Sequence, residues 1–279
     1  MNKLLFGTGG APHSSKTLTT LDGIRRIAEL GLGCMELEFV YGVRMNEAGA
    51  RLTAGLAKQE GITLTAHAPY YINLNSREPE KITASQERLL QAARIASICG
   101  AWSVVFHAAF YMKDEPETVY PVVKKYLQEV VEKLRKEKIS ITIRPEVMGK
   151  PSQFGTIDET LQLASEIEGV APCVDFAHWH ARGGEFNSYP EFTAVLEKIS
   201  TRLGRQALDN MHIHFSGINY GARGEKNHLN FEDADLNYKE LLQALKDYDV
   251  KGTVICESPN LEADAQLLQK TYQGLKKKT

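Results

Sequence analysis

The sequence predicts an α/β fold, a single (β/α)8 barrel (TIM barrel) spanning residues 1–279. Three observations predict it. Short β-rich apolar runs alternate with longer amphipathic stretches from end to end, which is the pattern of repeated βα units. Eight runs of each kind can be counted. With 279 residues, 43% of them hydrophobic, one large core can be built and no second domain is required.

In chain order the strand candidates are LLFGT from Leu4, CMELEF from Cys34, TLTAHA from Thr63, SVVFHA from Ser103, SITIRPE from Ser140, PCVDFA from Pro172, NMHIHF from Asn210 and TVICES from Thr253. Helical periodicity is clearest over Ser85–Cys99, Pro116–Lys138 and Asn237–Tyr248. Pro116 suits a first turn, whereas Pro121 inside the same pattern predicts a later start or a kink. Gly31, Gly61, Gly100 and Gly252 fall between helix ends and the next strands, where a left-handed residue is useful. The first junction, GTGGAPHSS, does not spell GxGxxG and has no acidic residue placed to read a ribose, which argues against a dinucleotide site.

A formal charge of −2 gives no general pull toward nucleic acid or acidic membranes, so a polyanion must be met locally. The N-terminal stretch lacks the apolar core of a secretory signal and no apolar run is long enough to span a bilayer, so a cytoplasmic protein with no membrane partner is expected. A monomer is expected as well. Cys34, Cys99, Cys173 and Cys256 are far apart and form no CxxC pair, and read as buried thiols.

The ionisable residues carry the functional reading. His13, His67, His107, His178, His180, His212, His214 and His228 all fall at strand ends or in the loops that follow, and no predicted helix carries one. Each alone reads as a hydrogen-bonded structural histidine. Together they mark the end of a barrel where active sites are built. Glu146, Asp175 and Glu257 lie at the same depth, and a carboxylate buried at the end of an apolar strand must be paired or bound to metal. Arg144 could pair with Glu146, but too few cations flank Asp175 and Glu257 for that to be general. Imidazole with carboxylate is the ligand mix of zinc or a similar first-row metal, with manganese and iron less favoured, and six or more such groups point to more than one ion. His212 and His214, two apart on a strand, share one side of the sheet, so one can be a ligand and the other its support.

At these residues the sequence resembles the endonuclease IV family of apurinic/apyrimidinic endonucleases, within the xylose isomerase-like barrels. The motifs are HAPYYINL from His67, VVFHAAF around His107, Pro145–Glu146, VDFAH from Val174, MHIHFSG from Met211, NHL from Asn227 and ICESPN around Glu257. The resemblance implies a zinc-dependent phosphodiester hydrolase, a DNA-repair enzyme cleaving 5′ to abasic sites in damaged double-stranded DNA. It implies two to three Zn2+ ions. His67, His107 and Glu146 would hold one; Asp175, His212, Glu257 and the shared Glu146 a second; His178 and His228 a third. Glu146 and Glu257 would be the catalytic carboxylates. The family's aspartate for the third ion corresponds to Lys226, so Glu225, one residue further back, becomes the candidate ligand.

Tyr70 matches a tyrosine that the family uses near the damaged nucleotide, and Arg182, His180 and His214 are the other candidate substrate contacts. Arg44, Lys150, Arg223 and Lys226 are further candidate phosphate contacts, because ions at the mouth would make it positive. The loop after strand two, VYGVRMNEAGARL, does not resemble the family's basic DNA-penetrating loop. Two other readings stand beside this one. Glu146, Asp175, His212 and Glu257 also resemble the single-metal set of sugar isomerases and epimerases, for which the other histidines are surplus. A non-catalytic metal-binding barrel is the third reading.

Overall fold

Eight parallel strands carry the apolar runs: β1 Leu4–Gly9, β2 Cys34–Glu38, β3 Thr63–His67, β4 Ser103–Phe106, β5 Thr142–Pro145, β6 Cys173–Asp175, β7 Met211–Phe215 and β8 Gly252–Cys256. The structure, a computed structural model, describes residues 1–184 and 186–278. The strands pair in the order β5-β4-β3-β2-β1-β8-β7-β6. Two parallel bridges, Ile143 to Val170 and Glu146 to Cys173, link the remaining edges, and the sheet nearly closes into a barrel. Most strand residues are buried because helices cover the outer face while inward side chains fill the interior.

Helices Thr20–Glu29, Glu47–Glu60, Pro79–Ile98, Pro116–Lys136, Ile157–Glu166, Tyr189–Leu203, Tyr238–Asp247 and Glu262–Gly274 alternate with the strands. The third begins at Pro79, ahead of the periodic stretch from Ser85, since proline suits a first turn where an amide donor has no partner anyway. The fourth starts at Pro116 and continues through Pro121, so the expected later start is not observed. Pro121 lies near the start of the helix, where its missing N–H removes one bond without breaking the ladder. The four cysteines are buried and unpaired as disulfides. Among the described residues, no helix is long and apolar enough to cross a membrane.

One expectation about the histidines is corrected. Strand β6 is only three residues long, and Asp175 caps a short helix, Phe176–Gly183, by accepting from the His178 amide at 2.7 Å. His178 and His180 are therefore helical. The apolar run through VDFA conceals the change of period, because both halves of it are buried. After β7 the chain forms a hairpin, Gly217–Gly221 and Gly224–Leu229, which packs against this helix.

Candidate metal centre

The strand ends bring eight side chains to one end of the barrel. His67 ends β3, His107 follows β4, Glu146 follows β5, Asp175 ends β6 with His178 just beyond, His214 lies in β7, Glu257 follows β8, and the hairpin supplies His228. Glu146 is at their centre. Its Oε2 is 3.3 Å from His67 Nε2 and 3.1 Å from His107 Nε2, and its Oε1 is 3.2 Å from both His178 Nδ1 and His214 Nδ1. Three groups of potential ligand atoms at this end of the barrel lie within 4.8 Å of one another, His67, His107 and Glu146; Glu146, Asp175, His214 and Glu257; His178, Glu225 and His228, and a fourth, Cys173, His212 and His214, lies in the buried interior. Glu146 belongs to two of the first three.

These residues fit bound divalent cations. Among the described residues no Lys or Arg pairs with Glu146, Asp175 or Glu257, and the Oδ2 of Asp175 is buried with no hydrogen-bond partner. Arg144, the cation expected beside Glu146, instead donates to the carbonyls of Pro172 and Asn210 and stacks on Trp102. One ring nitrogen of three histidines faces a backbone carbonyl, which can only accept. His67 Nδ1 donates to Ala68 O at 2.7 Å, His178 Nδ1 to Val147 O at 3.2 Å and His228 Nδ1 to Glu257 O at 3.1 Å. Each neutral ring therefore turns a lone pair on Nε2 toward the cluster. His178 Nε2 and His228 Nε2 face each other at 3.4 Å, an approach that needs a proton or a cation between two lone pairs.

The third group depends on a local irregularity of the hairpin. Asn219 pairs with Asn227 and Tyr220 with Glu225, so Lys226 is an extra, unpaired residue, a β-bulge. In a regular strand Glu225 and His228, three apart, would point to opposite faces; the bulge puts both on one face. Gly149, just after β5, makes room. A Cβ on it would come within 2.7 Å of Glu225 Cβ and 2.9 Å of Glu225 Oε2. Glu225 Oε2 then stands 3.4 Å from His178 Nε2.

The structure puts other sequence candidates elsewhere. His212, expected as a ligand, is fully buried one layer below the cluster, its Nδ1 2.9 Å from Ser103 Oγ and its Nε2 3.0 Å from Glu36 Oε2. His214, expected as a substrate contact, stands at the cluster in its place, because it is nearer the open end of the same strand. His180 contacts Asp235 at 3.2 Å and packs edge-on against Tyr220, away from the centre. Arg182 is not free for phosphate: its Nη1 donates to the carbonyls of Met148, Lys150 and Gln153. Tyr70 is 45% exposed at the mouth and stacks on His107. Arg44, Arg223 and Lys226 are exposed, and Lys150 lies 3.8 Å from Glu225.

Sequence reasoning passed over two glutamates of β2. Glu36 is completely buried, with Oε1 2.8 Å from His214 Nε2, while Glu38 opens into the mouth. Two acidic residues two apart inside an apolar strand were the available signal. Crowding by protein, with the charges of Glu36 and Glu257, pushes Glu38 up to about 8. Burial opposes ionisation of Glu257, but His214 and His228 outweigh it and bring it down to about 2; Glu146 is likewise held well below the usual carboxylate range by its histidines. Burial would depress His67 and His178, yet Glu146 raises His67 to about 9, and Asp175 with Glu146 raises His178 to about 10. A dense carboxylate cluster of this kind attracts protons or metal ions.

Residues 24–278 match the xylose isomerase-like TIM barrel family. The chain belongs to that family. An uncharacterized protein of Methanocaldococcus jannaschii is 45% identical over 98% of this chain and 98% of its own length. A probable endonuclease 4 of Mycoplasma genitalium is 25% identical over 79% of this chain and 76% of its own. Among solved structures, endonuclease IV from Thermus thermophilus superposes with a TM-score of 0.74 at 18% identity, covering 98% of this chain and 100% of that one. A D-tagatose 3-epimerase-like protein superposes with a TM-score of 0.72 at 19% identity, covering 96% and 97%. At these identities the structural likenesses bear on the barrel alone. Within this xylose isomerase-like barrel the chain resembles endonuclease 4 in sequence.

Proposed function

We propose that this chain is a metal-dependent phosphodiester hydrolase of the endonuclease IV type, which incises damaged double-stranded DNA 5′ to abasic sites with zinc ions in the three ligand groups. The observation that carries the reading is the sharing of Glu146 between two groups, with a third group, complete through Glu225, beside them. A single-ion enzyme has no use for His67, His107 and His178 around Glu146 together with a separate group of His178, Glu225 and His228. Bound divalent ions would supply Lewis acidity toward a phosphoryl group and its leaving oxygen.

The protein's own part is positioning and charge. Glu146 and Glu257 stay ionised at neutral pH and serve as anionic ligands, with Glu146 holding two neighbouring groups in register. Glu38 adds a carboxyl group at the mouth, its ionisation opposed by its surroundings and by the charges of Glu36 and Glu257. Tyr70 offers an exposed ring beside His107 on which a sugar or base can rest. Incision of a duplex carrying one abasic site, abolished by chelation and restored by Zn2+ or Mn2+, supports this reading. Cleavage that persists after complete metal removal overturns it.

A sugar epimerase is the second reading, favoured by the acidic mouth at Glu38 and by the absence of a basic loop after β2. One ion per chain at saturation, with isomerisation of a ketose and no incision, would establish it instead.

A further inference from the structure

Glu36 is a charged side chain at 0% exposure inside the barrel, and none of the three ligand groups includes it. Its Oε2 accepts from Thr65 Oγ1 at 2.7 Å and lies 3.0 Å from His212 Nε2; its Oε1 lies 2.8 Å from His214 Nε2. Glu36 Oε1, His212 Nε2 and His214 Nε2 are buried and have no hydrogen-bond partner elsewhere. Three orphaned polar atoms that face one another within contact distance satisfy each other or nothing.

The direction of each proton follows from the surroundings. A neutral imidazole carries one N–H, on one nitrogen or the other. A carboxylate can only accept, which puts the His212 proton on Nε2 and leaves Nδ1 to accept from the Ser103 hydroxyl. The same requirement puts a proton on His214 Nε2, because it too faces Glu36. His214 Nδ1 is then the nitrogen that addresses Glu146 Oε1 at 3.2 Å and Glu257 Oε2 at 3.4 Å. His67 and His228 lean instead on backbone carbonyls, which no side-chain change can remove. His214 leans on a side chain.

We infer that Glu36 is the positioning residue of the centre: its carboxylate, held by Thr65 and His212, fixes His214 with Nε2 protonated so that Nδ1 is presented as a metal ligand. The inference rests on the proposed metal centre and is independent of the substrate. A ligating imidazole backed by a carboxylate is also a stronger donor than one backed by a neutral group.

The test uses the whole chain, Co2+ as the probe, and three proteins: wild type, Glu36→Gln and Thr65→Val. Glutamine keeps the shape but removes the charge, and its amide can present a donor to a ring nitrogen that is itself a donor. The expected results are a Glu36→Gln protein that melts cooperatively, binds Co2+ about 10- to 100-fold more weakly at one class of site, and shows an altered visible absorption of the bound cobalt. Histidine 15N spectra of the Zn2+-loaded wild type should show His214 protonated at Nε2 and ligated at Nδ1. If Glu36→Gln does not fold, Thr65→Val, which removes only the hydroxyl held by Glu36, should still shift the cobalt spectrum. A variant titration and spectrum that superpose on wild type, or a His214 ligated through Nε2, overturn the inference. A wild-type protein that takes up no Co2+ overturns the metal centre itself, a result distinct from either.

Discussion

Gly149 has no side chain where Glu225 passes: a Cβ there would come within 2.7 Å of Glu225 Cβ and 3.2 Å of the His178 backbone. The Glu225 amide donates to the Gly149 carbonyl at 3.1 Å, so the hairpin is stitched at this point to the loop after β5. Together with the bulge at Lys226, this close approach lets a glutamate occupy a position that the resemblance would have filled with an aspartate two residues before His228.

Deletion of Lys226 should therefore turn Glu225 to the other face of the hairpin, and Gly149→Ala should push it out. Each change is expected to remove one ion per chain, read by elemental analysis. The melting temperature of the chelated protein should fall only a little after the deletion, because the hairpin lies at the surface. A full complement of ions in both variants would show that Glu225 ligates nothing.

Glu146→Gln should remove more than one ion and lower phosphodiester cleavage by at least about 100-fold, since the carboxylate is shared by two ligand groups. Loss of a single ion, measured by equilibrium dialysis, would show that it is not shared.

The pH behaviour should reverse between the metal-loaded and chelated protein. Without ions, His67 is raised to about 9 and His178 to about 10 above an ordinary 6.5, because the neighbouring carboxylates outweigh burial. Their contribution to folding is complete below about pH 6.5 and is lost as pH rises toward those values, so the chelated protein should melt lower at pH 10 than at pH 7. With ions bound, protons compete for the same nitrogens, and affinity should fall as pH is lowered. Parallel melting profiles for the two forms would contradict this.

Arg182→Ala should cost about 2–3 kcal/mol in urea unfolding, because three loop carbonyls lose a charged donor. Substrate KM should stay within about twofold for the fraction that remains folded. A large rise in KM with unchanged stability would return Arg182 to the substrate.

The barrel was legible because its strands are marked by apolar runs and its helices by period, neither of which needs tertiary information. Clustering of His67, His107, Glu146, Asp175, His178, His228 and Glu257 was legible for a related reason: strand ends share one face of a barrel. The roles of His212 and His214 were not. Two residues of one strand point the same way, and only the depth of β7 within the barrel separates the ligand position from its support. The surroundings of His180 and Arg182 were not legible, because helix Phe176–Gly183 starts directly at Asp175 and turns them toward Asp235 and the loop carbonyls. Glu36 escaped notice because an acidic residue in an apolar strand acquires meaning only once its partners on β3 and β7 are known.

The central claim, a three-ion centre that cleaves phosphodiesters, is tested most directly by returning Zn2+ stepwise to chelated protein while incision of an abasic-site duplex is followed. The account predicts uptake of three equivalents, with cleavage absent at the first and complete only when the later sites fill. Saturation at one equivalent, or three bound ions with no cleavage of the abasic strand, would contradict it.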